Sequence, residues 1–137
     1  MTNSLNVQRA ESYLLSKPEA SLYYPFGDDV RVFRVKSKMF ATIALGKTAK
    51  SVKADDEAKT HFWMNLKCDP DEAVMLRDIF SAVIPGYHIN KKNWNSIILD
   101  GSIPQGELER MMDNSYSFCC RFFLVNNKTV LYHHCRH

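Results

Sequence analysis

The sequence has 137 residues, 45% of them hydrophobic and 24% charged, a balance that suits one globular domain and excludes a disordered chain. The formal net charge of +3 is too small to announce a nucleic-acid binder by itself. No run reaches the ~20 apolar residues of a membrane helix, and Met1 to Asn6 has neither part of a signal peptide. The four cysteines, Cys68, Cys119, Cys120 and Cys135, form no CxxC pair, so reduced thiols and a cytoplasmic location are expected.

In chain order, the first helix is expected from about Ser4 to Ser16, with Leu5, Ala10, Tyr13 and Leu14 as its apolar stripe. Lys17-Pro18 ends it, and Glu19 to Asp29 reads as a loop punctuated by Pro25 and Gly27. Val30 to Val35 and Met39 to Leu45 read as a hairpin turning at Ser37-Lys38, followed by a polar loop from Gly46 to Lys59. His61 to Lys67 is a third strand, with Phe62, Met64 and Leu66 on one face and Trp63 and Asn65 on the other. Asp69 then caps a helix that has Pro70 in its first turn, with Glu72 closing a capping box. Ala73, Leu76 and Phe80, with Val74 and Ile79, are its expected buried stripe.

Ile84-Pro85-Gly86 breaks that helix, Tyr87 to Asn90 reads as a short strand, and Trp94 to Leu99 as a stronger one. A second capping box, Ser102 to Gln105, opens a last helix with Leu108, Met111, Met112, Ser115 and Tyr116 on its apolar stripe. This order predicts an α+β fold of two layers, helix-β3-helix-β2-helix, with an antiparallel sheet covered by helices. Residues 1–120 form the expected single domain, and 121–137 a C-terminal extension, either a hairpin around Asn126-Asn127 or a frayed helix end and tail.

Blocks of residues in a fixed order carry a family resemblance. They are Tyr24-Pro25-Phe26-Gly27, Lys38-Met39-Phe40, Leu66-Lys67-Cys68-Asp69-Pro70, Pro85-Gly86-Tyr87-His88, and Asn90-Lys91 with Trp94-Asn95. Leu99-Asp100-Gly101-Ser102 and Asp113 through Ser115-Tyr116 complete the set. In these blocks the chain resembles the MmcQ/YjbR-like family over about Ser4 to Tyr116. The resemblance implies a fold similar to type III secretion chaperones. It also implies a DNA-binding role, attributed to a "double wing" of hairpins, and no catalytic residue. The tail beyond Phe118 departs from the family pattern.

Two constellations are candidates for binding. His88, Asn90, Lys91 and Trp94 combine phosphate-seeking groups, a side-chain amide and a stacking face. The same residues also suit a buried tryptophan with a turn-forming asparagine and a loop histidine. The second constellation is the hairpin. Between Val30 and Ala54 stand Arg31, Arg34, Lys36, Lys38, Lys47, Lys50 and Lys53 with no acidic residue, while acid gathers at Asp55 to Glu57, Asp69 to Glu72 and Glu107 to Asp113. Strand alternation puts Arg34 and Lys36 on one face and Arg31 on the other, so this edge competes with an ordinary solvated strand.

No phosphate loop, HExxH or GxSxG is present, and adjacent tail residues His133, His134 and Cys135 lack a rigid second cluster for a metal. The expectation is a small non-enzymatic, cytoplasmic binding module without cofactor or metal. Nucleic acid, DNA by preference, is the expected partner, held by Arg34, Lys36, Lys38, Lys67, His88, Asn90, Lys91 and Trp94. The alternative is a chaperone-like adaptor holding a protein partner or a second copy of itself. No membrane is expected in either case.

Overall fold

In a computed structural model of the chain, residues 2–27, 29–45, 61–86 and 89–127 are described, the side chains of 2–6 and 121–127 excepted. The elements are α1 (Thr2–Leu15), β1 (Ala20–Tyr23), β2 (Val30–Val35), β3 (Lys38–Leu45) and β4 (Phe62–Lys67), then α2 (Pro70–Ile79), β5 (Val83–Pro85), β6 (Trp94–Ile98) and α3 (Gln105–Asn127). The strands form one sheet in the order β1-β2-β3-β4-β6-β5, every neighbouring pair antiparallel. The two-layer α+β architecture expected from the sequence is therefore present. No helix among the described residues is long and apolar enough to cross a membrane.

One sheet face carries the main core. Phe33, Ile43, Met64 and Ile97 pack there against Leu14 of α1, Leu76 of α2 and Met112 and Tyr116 of α3. Alternation sends Val32, Thr42, Trp63, Asn65, Trp94 and Ser96 to the opposite face, outside that cluster. Asn65 links this face across three strands: its amide donates to Thr42 Oγ1 at 3.0 Å and its carbonyl accepts from Ser96 Oγ. Asp113 ties α1 to α3, accepting from Tyr13 Oη at 2.9 Å and from Lys17 Nζ. Tyr116 Oη donates to Pro18 O at 2.6 Å.

Several local expectations are corrected. Ala20–Tyr23 is a strand and not a loop, because the edge of β2 supplies its hydrogen-bond partners. The hairpin turns at Lys36-Ser37, with Val35 opposite Lys38 and Lys36 in the left-handed region at φ 57°. The short strand before β6 is Val83–Pro85; Ile89 and Asn90 lie in the loop, and Tyr87 lies outside the described residues.

Neither capping box closes. Asp69 accepts from Asp71 N–H at 3.1 Å, but Glu72 Oε1 instead accepts from Asn114 of α3 at 2.9 Å. Ser102 bonds to Asp100 Oδ1 through both its N–H and its hydroxyl. Val74 and Ile79 are exposed, since α2 buries only Ala73 and Leu76 of its side chains. The α3 backbone stays helical to Asn127, through the first arm of the suggested hairpin; 128–137 lie outside the described residues. Cys68 and Cys119 are free thiols as expected, whereas Cys120 is disulfide-bonded.

Candidate nucleic-acid interface

Antiparallel order has a geometric consequence for the basic residues. The C-terminal ends of β2 and β4 and the N-terminal ends of β3 and β6 lie side by side at one end of the sheet. Arg34, Lys36, Lys38, Lys67, Lys91 and Lys92, scattered along the sequence, all belong to these strand ends or their adjoining turns. Three inter-strand spacings of about 4.8 Å make this end roughly 14 Å wide. Arg31 falls on the opposite face from Arg34, as alternation requires, and pairs with Glu11 of α1 at 2.9 Å.

The individual cations differ in freedom. The Arg34 guanidinium lies 4.2 Å from the Tyr23 ring centroid, a cation–π contact that leaves its N–H groups outward-capable. Lys36 pairs with Glu19 at 3.0 Å, but both side chains are exposed, so water and salt weaken the pair. Turn placement removes Lys36 from the strand face expected for it. Lys38 opens β3 half-buried. Lys67 closes β4, its Nζ 5.4 Å from the Phe118 ring and 5.9 Å from the Trp94 ring. Lys92 is exposed.

The loop before β6 is held by its own polar groups. Asn90 Oδ1 accepts from Lys92 N–H at 2.8 Å, closing an Asx turn. Lys91 Nζ donates to Gly86 O at 2.8 Å. Arg77 of α2 grips the loop from below, through Nε to Asn95 Oδ1 at 2.7 Å and through Nη2 to the carbonyls of Lys91 and Trp94. A Cβ on Gly86 would stand 2.6 Å from Ile89 Cγ2 and 3.0 Å from Trp94 O, so only glycine permits this approach. Trp94 is 6% exposed, too buried to offer a stacking face. His88 lies outside the described residues. Sequence reasoning missed Arg77, whose only signal is its place in the last turn of α2 beside the buried stripe.

Below the basic end lies Cys119, whose thiol burial pushes up to about 11 against the opposing pull of Lys67 and Lys38. Cys68 is likewise raised to about 11, by burial first and then by Glu72. Both thiols are therefore protonated at neutral pH and poor nucleophiles. Among the described residues, no group of three His, Cys, Asp or Glu side chains is arranged to hold a metal.

A family model described as YjbR matches residues 15–118. The chain belongs to the YjbR family. Its relatives include the uncharacterized protein YbdF of Escherichia coli O157:H7, 28% identical over 110 residues that cover 80% of each chain. The uncharacterized YjbR of Escherichia coli K12 is 40% identical over 53 residues, 39% of this chain and 45% of the relative. A crystal structure of a Deinococcus radiodurans protein with a domain described as DUF419 superposes with TM-score 0.68 at 27% identity, covering 90% of this chain and 81% of that one. A Pseudomonas syringae protein shares the fold at TM-score 0.66 and 24% identity, over 79% of this chain and 93% of its own. The YjbR match spans every strand among the described residues but stops inside α3, leaving 1–14 and 119–137 outside the matched segment.

Proposed function

We propose that the chain is a non-enzymatic nucleic-acid-binding module that grips the phosphates of duplex DNA with the basic end of its sheet. The observation that supports this reading is the convergence of Arg34, Lys36, Lys38, Lys67 and Lys92 on neighbouring strand ends. A duplex carries a charge every ~1.7 Å of its axis, so a surface roughly 14 Å wide meets several phosphates at once. Asn90 and Trp94 are occupied with the turn and the packing, so the reading contains no base readout through either residue. Binding is then indifferent to sequence and steeply dependent on salt. Such a partner is met in the cytoplasm.

Fluorescence anisotropy with labelled duplex DNA of two unrelated sequences, at several salt concentrations, tests the proposal. Each of Lys36→Ala, Lys67→Ala and Lys92→Ala should flatten the slope of log affinity against log salt by about 0.9. Each should also weaken both sequences alike. Asn90→Ala should leave the ratio between the two sequences unchanged. Absence of binding at low salt, or an undiminished slope in a folded triple variant, would sink the assignment.

A further inference from the structure

The outer face of α2 combines exposed apolar side chains with unneutralised acid. Val74, Met75 and Ile79 are 54%, 54% and 60% exposed, although apolar residues on a short helix normally turn inward. Met75 and Ile79 stand at i and i+4 and share one flank, with Asp71 and Asp78 running alongside them on the outermost ridge. Neither aspartate has an ion-pair partner among the described residues. The cation on this helix cannot neutralise them, because Arg77 turns inward to Asn95 and the carbonyls of Lys91 and Trp94.

We infer that this face is a docking surface for a basic amphipathic helix of another protein. An apolar pair at i, i+4 is the anchor spacing by which a helix seats its neighbour's apolar stripe. The acidic ridge beside it selects lysine and arginine on the flanks of that stripe, and repels an acidic partner. The same ridge argues against a second copy. A two-fold pairing of α2 with itself would bring Asp71 and Asp78 of one chain against the same residues of the other. The surface uses none of the cations of the basic strand ends and carries the opposite charge, so the inference does not depend on the DNA reading.

The probe is a labelled amphipathic Leu/Lys helix of about five turns (~18 residues), compared with a Leu/Glu peptide of the same pattern. Anisotropy with the full chain should show binding of the Leu/Lys peptide. Met75→Gln with Ile79→Gln, both exposed and replaced by a good helix former, should weaken it at least tenfold while leaving the melting temperature nearly unchanged. Asp71→Asn with Asp78→Asn should weaken it less and flatten its salt dependence. The inference is overturned by three results: no binding of the Leu/Lys peptide, binding indifferent to the Gln variants, or Leu/Glu binding that those variants abolish. Concentration-dependent self-association in sedimentation, abolished by the Gln variants, would make the occupant a second copy and overturn it as well.

Discussion

The Ser115 hydroxyl joins α3 to the basic end of the sheet. The β3–β4 ladder runs from Leu45 opposite Phe62 to Ala41 opposite Leu66, and β3 then bulges at Phe40, which has no partner in β2. Ser115 stands at the vacated rung: its Oγ accepts from Lys67 N–H at 2.9 Å and donates to Phe40 O. Ser115 is fully buried. Ser115→Ala therefore strands two backbone groups, each costing about 1–3 kcal/mol when buried without a partner. Lys67 is only half-buried at the strand end, which discounts its share and puts the combined loss at about 2–4 kcal/mol. For a domain of this size that is a fall of about 6–15 °C in melting temperature. Differential scanning fluorimetry and urea titration measure it, with Ser12→Ala on the exposed side of α1 as the control. A fall of less than about 2 °C would mean that the bulge finds its hydrogen bonds elsewhere.

Three further outcomes are expected. Lys36→Gly relieves a left-handed backbone at φ 57° at the expense of one exposed ion pair, so it should raise stability by about 0.5–1 kcal/mol while weakening DNA binding. Urea midpoints and anisotropy on the same variant check both signs. Trp94→Ala should cost about 3–5 kcal/mol, because the ring is 6% exposed; an unchanged melt with lost DNA binding would instead make it a stacking platform. Burial, and then Glu19, raise the Tyr116 hydroxyl from 10.0 to about 12. The folded chain thus holds that proton more tightly than the unfolded one, and the stability present below pH 10 is lost as pH rises towards 12. Melting temperatures across that window should fall less steeply in Tyr116→Phe than in the unmodified chain.

Legibility followed the range of the interaction concerned. The start of α2 was readable because Asp69 and Pro70 act on their immediate neighbours. The second half of the same capping box was not, because Glu72 is drawn to Asn114 across the helix layer. Ala20–Tyr23 carries no alternation to mark it, and its strand character comes entirely from the edge of β2. Periodicity put Val74 and Ile79 on the buried stripe of this helix; the helix is present, but both side chains are exposed. It could not reveal that α2 buries only Ala73 and Leu76 of its side chains, leaving Val74 and Ile79 outside.

The binding candidates divide along the same line. Asn90 and Lys91 drew notice as a dense polar cluster, and the density reflects what an eight-residue connection needs to hold its shape around Gly86 and Trp94. A loop that must turn tightly uses its own polar groups first, so those groups are the poorest candidates for an outside ligand. Lysines and arginines at strand ends face no such demand, because the sheet ladder already satisfies the backbone beside them. Their juxtaposition is invisible in sequence, where Arg34 and Lys67 stand far apart, until the β2-β3-β4-β6 order brings their strand ends together. The side chains left for the proposed DNA contact are thus those that topology brings together, and Lys67 is the most informative to remove. Its backbone N–H is held by Ser115 whatever its side chain, so Lys67→Ala changes the charge without disturbing the rung that positions it.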